Sequence, residues 1–172
     1  KAFGLFIEAF RPYVVEILMK EVDDKWPALF VESLYPAQRD SWNLGLKAGS
    51  QPEALIDYPY LKPFVLKYKD LIKKDFAKDT NKLATRLETI CDTRNKLAHF
   101  QEITDDEFAE TFIQMKSIAR SLKMDELETA FNQLQEAKTH DARNTETLNE
   151  KDTDYTTLKP WFRSVLPHMD IR

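Results

Sequence analysis

The chain has 172 residues, of which 42% are apolar and 31% charged, with only three glycines and a net charge of −4. This length supports one domain with a core and room for a short appendage, and the acidic balance excludes a globally basic nucleic-acid surface, so any RNA site must be local. The single Cys91 excludes an intrachain disulfide framework and fits a reducing, cytoplasmic compartment, while no apolar run reaches the length of a membrane span.

In chain order, residues 2–22 carry apolar side chains at helical spacing: Phe3, Phe6, Ile7 and Phe10, then Val14, Ile17, Leu18 and Val22. Pro12 either kinks one helix or begins a second. Phe3, Phe6 and Phe10 suit a core stripe or an apolar dimer interface better than a base-stacking platform. Asp23-Asp24-Lys25-Trp26-Pro27 reads as a turn that caps a short apolar segment over residues 27–34. From Tyr35 to Leu61 the pattern is least regular, broken by Gly45, Gly49, Pro52 and Pro59. It predicts a short helix near 36–46, then a loop across the bundle, with Trp42 and Tyr58 as packing anchors. Residues 61–78 are helical again, with Phe64, Tyr68, Leu71, Ile72 and Phe76 facing inward. Lys67, Lys69, Lys73, Lys74 and Lys78 are opposed within that run only by Asp70 and Asp75. This basic patch is either a solvated helix face or a surface that tracks phosphates.

Asp79-Thr80 caps a long helix running to about His99 or Phe100, whose apolar face is expected at Leu83, Leu87, Ile90/Cys91 and Leu97/Ala98. Cys91 on that face reads as a buried, inert thiol. After the short Gln101–Ile103 link, Thr104 with Glu107 three residues on makes a capping box. Phe108, Phe112, Met115, Ala119 and Leu122 form the stripe of the helix it opens, which returns antiparallel and leaves His99 at an exposed corner. Leu127, Ala130, Phe131 and Leu134 mark a last helix, about 124–138. The expected fold is therefore all-α: an antiparallel bundle of five to seven helices over residues 1–138, with the long helix central. Residues 139–157 read as a polar linker. Residues 158–172 are apolar again and read as the beginning of a following domain, so the chain is expected to be a piece of a longer protein. The three His and one Cys show no zinc-ligand spacing, and there is no Gly-rich phosphate loop, so neither a metal nor a cofactor is expected.

The chemistry concentrates at the end of the long helix. Glu88, Asp92, Asn95 and His99 fall at i, i+4, i+7 and i+11, one polar stripe, with Arg94 on its shoulder about 140° around the axis from His99. A guanidinium grips phosphate oxygens through parallel hydrogen bonds, and an imidazole moves protons near neutral pH. Arg-x4-His arises by chance in roughly one chain in six of this length; requiring Asn after the Arg lowers that to roughly one in a hundred or fewer.

Arg94-Asn95-Lys96-Leu97-Ala98-His99-Phe100 resembles the signature of the HEPN superfamily (higher eukaryotes and prokaryotes nucleotide-binding), which is Arg, a polar residue, three or more spacers, then His. It is most similar to the subgroup attached to the PIN-type endonuclease of yeast transcript surveillance, also found at the start of large bacterial proteins. The resemblance implies a helical bundle that dimerises and brings two motif helices together. Many members are metal-independent ribonucleases, and others only bind a partner or nucleotides. On that pattern Arg94 and His99 are the catalytic pair and Asn95 the polar second position, with RNA as substrate. Asp92 and Glu88 are supporting candidates from the stripe alone. More loosely, Leu158 to Arg172 resembles the segment that opens the ATPase portion of large proteins of bacterial defence islands, which implies a phage-defence setting.

Overall fold

The computed structural model describes residues 1–73 and 80–149. Among the described residues there are nine α-helices and no strand: α1 (Ala2–Val22), α2 (Trp26–Glu32), α3 (Pro36–Lys47), α4 (Pro52–Leu55), α5 (Tyr58–Lys67), α6 (Lys69–Ile72), α7 (Thr80–Ala98), α8 (Asp105–Ser121) and α9 (Asp125–Asn149). Two of them, α4 and α6, are four-residue turns; the other seven match the upper end of the expected count. No described helix is long and apolar enough to cross a membrane. The compact unit Lys1–Asn132 holds the bundle, and Gln133 onward forms a second unit. The last helix runs to Asn149 rather than ending near residue 138.

α1 is one helix through Pro12, whose ring is exposed. Proline removes one backbone donor and costs about 3 kcal/mol inside a helix. Burial on the other face offsets this. Phe6, Phe10, Val14 and Leu18 have no exposed surface, each contributing about 1.5–3 kcal/mol relative to solvent. Phe6 and Phe10 stack on each other, and Phe6 on Tyr58. This corrects the idea that the phenylalanine stripe supplies an intersubunit surface: Phe6 and Phe10 are spent in the core of one chain, and Phe3 is half-buried edge-on to Tyr58 and Phe108.

The irregular middle is more helical than its punctuation suggested. α5 begins at Tyr58 and contains buried Pro63. Pro63 has no N–H to give the Pro59 carbonyl one turn back, and Gln38 Nε2 donates to that oxygen instead, at 2.9 Å. Trp42 packs against Phe30 and Tyr60. The expected single helix over 61–78 is broken at Tyr68, whose backbone turns out of helical geometry (φ −108°, ψ 30°). Its phenol donates to Leu29 O in the middle of α2, and burial raises its pKa to about 12.

α7 lies between α5 and α8 and packs on both. Its buried residues are Thr80, Leu83, Ala84, Leu87, Ile90 and Thr93. Leu97, read as core from its spacing, is 46% exposed, and Ala98 is exposed, because the helix runs past the end of the core there. Across the α7–α8 contact the hydroxyls of Thr93 and Thr111 lie 2.8 Å apart. α8 opens with the expected capping box, Glu107 N–H donating to Thr104 Oγ1 at 3.1 Å and Thr104 N–H to Glu107 Oε2 at 3.0 Å.

Candidate functional site

The end of α7 is closed by a reversed-turn cap. Gln101 N–H donates to Lys96 O and Phe100 N–H to Leu97 O, with Phe100 at φ 54°. That left-handed position usually belongs to glycine, as Gly49 (φ 86°) shows at the matching turn after α3. Phe100 is 92% exposed and follows His99 directly. His99 is exposed, and its side chain makes no hydrogen bond or ion pair among the described residues.

Arg94 sits differently. Its side chain is half-buried and held at both terminal nitrogens: NH2 donates to Asp57 Oδ2 at 3.2 Å, and NH1 to Asn95 Oδ1 at 3.2 Å. Asn95 Nδ2 in turn reaches Cys91 Sγ at 3.6 Å. Cys91 is only partly buried, and burial, then the nearby Asp92 charge, push its thiol up, so it is a poor nucleophile for a reason other than full burial. Asp57 is the N-cap residue of α5. Burial first, and the Asp57 carboxylate second, raise the phenols of Tyr58 and Tyr60.

The polar stripe therefore does not act as one network. Arg94 and Asn95 are brought together and tied to Asp57. Glu88 pairs instead with Lys62 of α5, a contact that raises the lysine's pKa. Asp92 is exposed and takes no hydrogen bond among the described residues. Sequence reasoning missed Asp57 and Lys62, which lie 37 and 26 residues from their partners. The one available signal was Asp before Tyr58-Pro59, a helix-start pattern that says nothing about Arg94.

The pairs Asp57–Arg94 and Lys62–Glu88 make α5 antiparallel to α7. Lys67, at the far end of α5, is then roughly 15 Å from the Arg94 end at 1.5 Å per residue. Lys67, Lys69 and Lys73 are exposed, and Lys73 pairs with Asp70 at 2.9 Å. Lys74 and Lys78 lie outside the described residues. Near the start of α7, Asn81, Lys82, Thr85, Arg86 and Gln114 line a shallow groove of about 300 Å³. Arg86 donates to Ser117 Oγ at 2.8 Å there. Lys82 and Arg86 thus add positive charge at the start of α7, whereas Lys62, Arg94 and Lys96 toward its end each pair with a carboxylate. At its other end Glu102, Asp105, Asp106 and Glu107 crowd the turn into α8, and Glu107 pairs with Lys96 at 2.6 Å.

No curated protein and no solved structure matched the chain. The family model described as Swt1-like HEPN matches residues 1–123 of the 172. HEPN domains are RNA-related, nuclease-type modules that typically dimerise. The match spans α1 to α8 and contains the whole Arg94–His99 motif, so the chain belongs to the Swt1-like HEPN family.

Proposed function

We propose that this chain is a metal-independent endoribonuclease domain that acts as a homodimer, in which Arg94 and His99 of two copies surround one cleft. The observation that carries the reading is the contrast within one motif. Arg94 is held in place by Asp57 and Asn95, while His99, five residues on, leaves its ring uncommitted and exposed. A fixed guanidinium suits charge that develops on a phosphate, and a solvent-facing imidazole suits proton transfer. The ribose 2′-hydroxyl attacks the adjacent phosphorus, His99 takes the hydroxyl proton or protonates the departing 5′-oxygen, and Arg94 stabilises the phosphorane oxygens. Asn95 is the polar second residue, holding one arm of Arg94, and Asp92 and Glu88 act as supporting charges on the same helix. Arg94 and His99 diverge around the axis, so two motif helices across a two-fold axis supply a more compact set than one chain does. Lys67, Lys69, Lys73, Lys74 and Lys78 then contact phosphates several nucleotides away.

The test is cleavage of single-stranded RNA in excess chelator by wild type, Arg94→Ala and His99→Ala. Equal cleavage by all three rejects the reading, and a monomer in sedimentation at micromolar concentration removes the composite site. The alternative is a non-catalytic module that pairs subunits or senses RNA or a nucleotide for an attached ATPase. The exposed Phe100 and Leu97 at this helix end, followed in the chain by the acidic first turn of α8, favour it. Partner binding retained by His99→Ala, with no RNA cut by wild type, supports this alternative. The wider setting, a cytoplasmic phage-defence protein in which residues 158–172 open a further domain, and kinship with the yeast PIN-type endonuclease, belong to the same proposal. That segment lies outside the described residues.

A further inference from the structure

An aspartate at a helix N-cap normally turns its carboxylate back onto the first turn, worth about 1 kcal/mol. Asp57 holds the N-cap position of α5 with extended backbone (φ −135°, ψ 168°), yet its side chain makes no capping hydrogen bond. The carboxylate goes across the α5–α7 seam instead, to Arg94 NH2. Local preference is given up for one tertiary contact, and such departures concentrate at functional sites.

The form of the contact decides its role. A carboxylate that masked Arg94 would take the fork through two parallel bonds. Asp57 takes one, on NH2, while Asn95 takes one on NH1. A guanidinium has five donors, so three N–H groups stay open, on a group whose terminal nitrogens are both fixed. The side chains of Arg94 and Asp57 are 36% and 39% exposed. An ion pair so exposed contributes little to stability, so apolar packing, not this pair, joins α5 to α7. Removing the carboxylate should therefore alter the orientation of Arg94 without unfolding the bundle.

We infer that Asp57 is a positioning residue, which presents the open N–H edge of Arg94 to a phosphate in the same site. The inference rests on the ribonuclease reading for its catalytic consequence, but not for its geometric one. Three proteins test it: wild type, Asp57→Ala and Asp57→Asn, each with an unchanged urea midpoint as a check on folding. Misplacing a catalytic group by about 1 Å costs on the order of a hundredfold. Asp57→Ala should lower kcat at least about tenfold, with KM changing less, and Asp57→Asn should recover most of the loss, because its amide oxygen still accepts from Arg94. The second readout is the Nε–H resonance of Arg94 by NMR. It should be distinct and slowly exchanging in wild type and Asp57→Asn, and averaged in Asp57→Ala. Undiminished cleavage by Asp57→Ala overturns the inference, and faster cleavage does so in favour of masking. An Asp57→Asn protein as slow as Asp57→Ala overturns it in favour of charge alone. If wild type cuts no RNA, the resonance decides: the same pattern upholds positioning while the ribonuclease reading fails, and three identical signals overturn positioning.

Discussion

Replacing Thr93 tests how α7 is seated directly beneath Arg94. Thr93 and Thr111 are 7% and 1% exposed, with hydroxyl oxygens 2.8 Å apart. Thr93 Oγ1 also lies 3.1 Å from Thr89 O, and Thr111 Oγ1 2.8 Å from Glu107 O. Two hydroxyls carry two protons, so only two of these three contacts are hydrogen bonds at once. Valine keeps the shape and removes the hydroxyl. Thr93→Val leaves Thr111 donating to Glu107 O, and Thr111→Val leaves Thr93 donating to Thr89 O. Each single replacement therefore loses one bond, about 1 kcal/mol, and leaves the surviving oxygen facing a buried methyl. The double variant has no stranded oxygen, so it should be destabilised by less than the sum, with a coupling of about 0.5–1 kcal/mol. Urea midpoints at constant slope measure all four corners of the cycle. The neighbouring Lys96–Glu107 pair is partly exposed and salt-sensitive, whereas the hydroxyl coupling should survive about 1 M salt. Strict additivity would refute the reasoning, because it would mean that each hydroxyl serves only its own helix and that nothing polar joins α7 to α8 at this level.

Gly4 and Gly45 should respond to alanine in opposite directions. A methyl at Gly4 meets nothing within 4 Å and should stabilise α1 by about 0.5–1 kcal/mol, whereas one at Gly45 runs into Leu55 Cδ2, so the leucine must shift and the same helix gain should turn into a net loss of up to about 1 kcal/mol, both read by thermal melts. Phe100→Gly should raise stability by about 0.5–1 kcal/mol, since it relieves a left-handed backbone and removes a ring that buries almost nothing; a fall in stability would show that the ring packs in solution. Hydrogen bonds from Lys96, then Thr104, hold the Glu107 carboxyl below its ordinary range. Its contribution is therefore present above the unfolded pKa and lost as pH falls through the folded one. Glu107→Gln keeps the capping box, so the gap between wild type and variant should be open at pH 7 and close in acid; a gap constant with pH sinks the assignment.

The parts of the fold set by neighbours in sequence were legible. The capping box at Thr104 and Glu107, the motif helix and the burial of Trp42 and Tyr58 follow from spacing and local chemistry. Tertiary partners were not. Tyr68 has no Pro or Gly beside it, and the break there coincides with a phenol drawn to Leu29 O, a contact 39 residues away in sequence. Leu97 keeps perfect core spacing yet meets solvent, because periodicity reports a face and not where the opposing helices stop. The phenylalanine stripe could be read as core or as interface because the rings that cover it, Tyr58 of α5 and Phe108 of α8, come from distant parts of the chain. At the site, Arg94, Asn95 and His99 could be read from one segment, whereas Asp57 could be found only once α5 lay antiparallel to α7.

That antiparallel seam also bears on how a chain of net charge −4 could handle RNA. Free cations beside a cleavage site hold substrate and product alike, which lowers KM without raising kcat. The exposed Lys67, Lys69 and Lys82 of α5, α6 and α7 lie away from the motif, whose single guanidinium is half-neutralised by Asp57, while Lys62 and Lys96 nearer to it pair with Glu88 and Glu107. On the proposed reading, RNA binding and chemistry would lie roughly 15 Å apart along one helix pair. The acidic turn into α8 disfavours phosphate at the motif end, except where the Arg94 donors face it. A salt titration separates the two ends. Replacing Lys67 and Lys69 by Gln should weaken RNA binding about equally for all sequences. On a single strand it should also lower the slope of log affinity against log salt by about 0.7 for each phosphate no longer neutralised. The rate at saturating RNA should stay close to that of wild type. A fall in that rate as steep as the fall in affinity would place the lysines in the chemistry and reject the division along the seam.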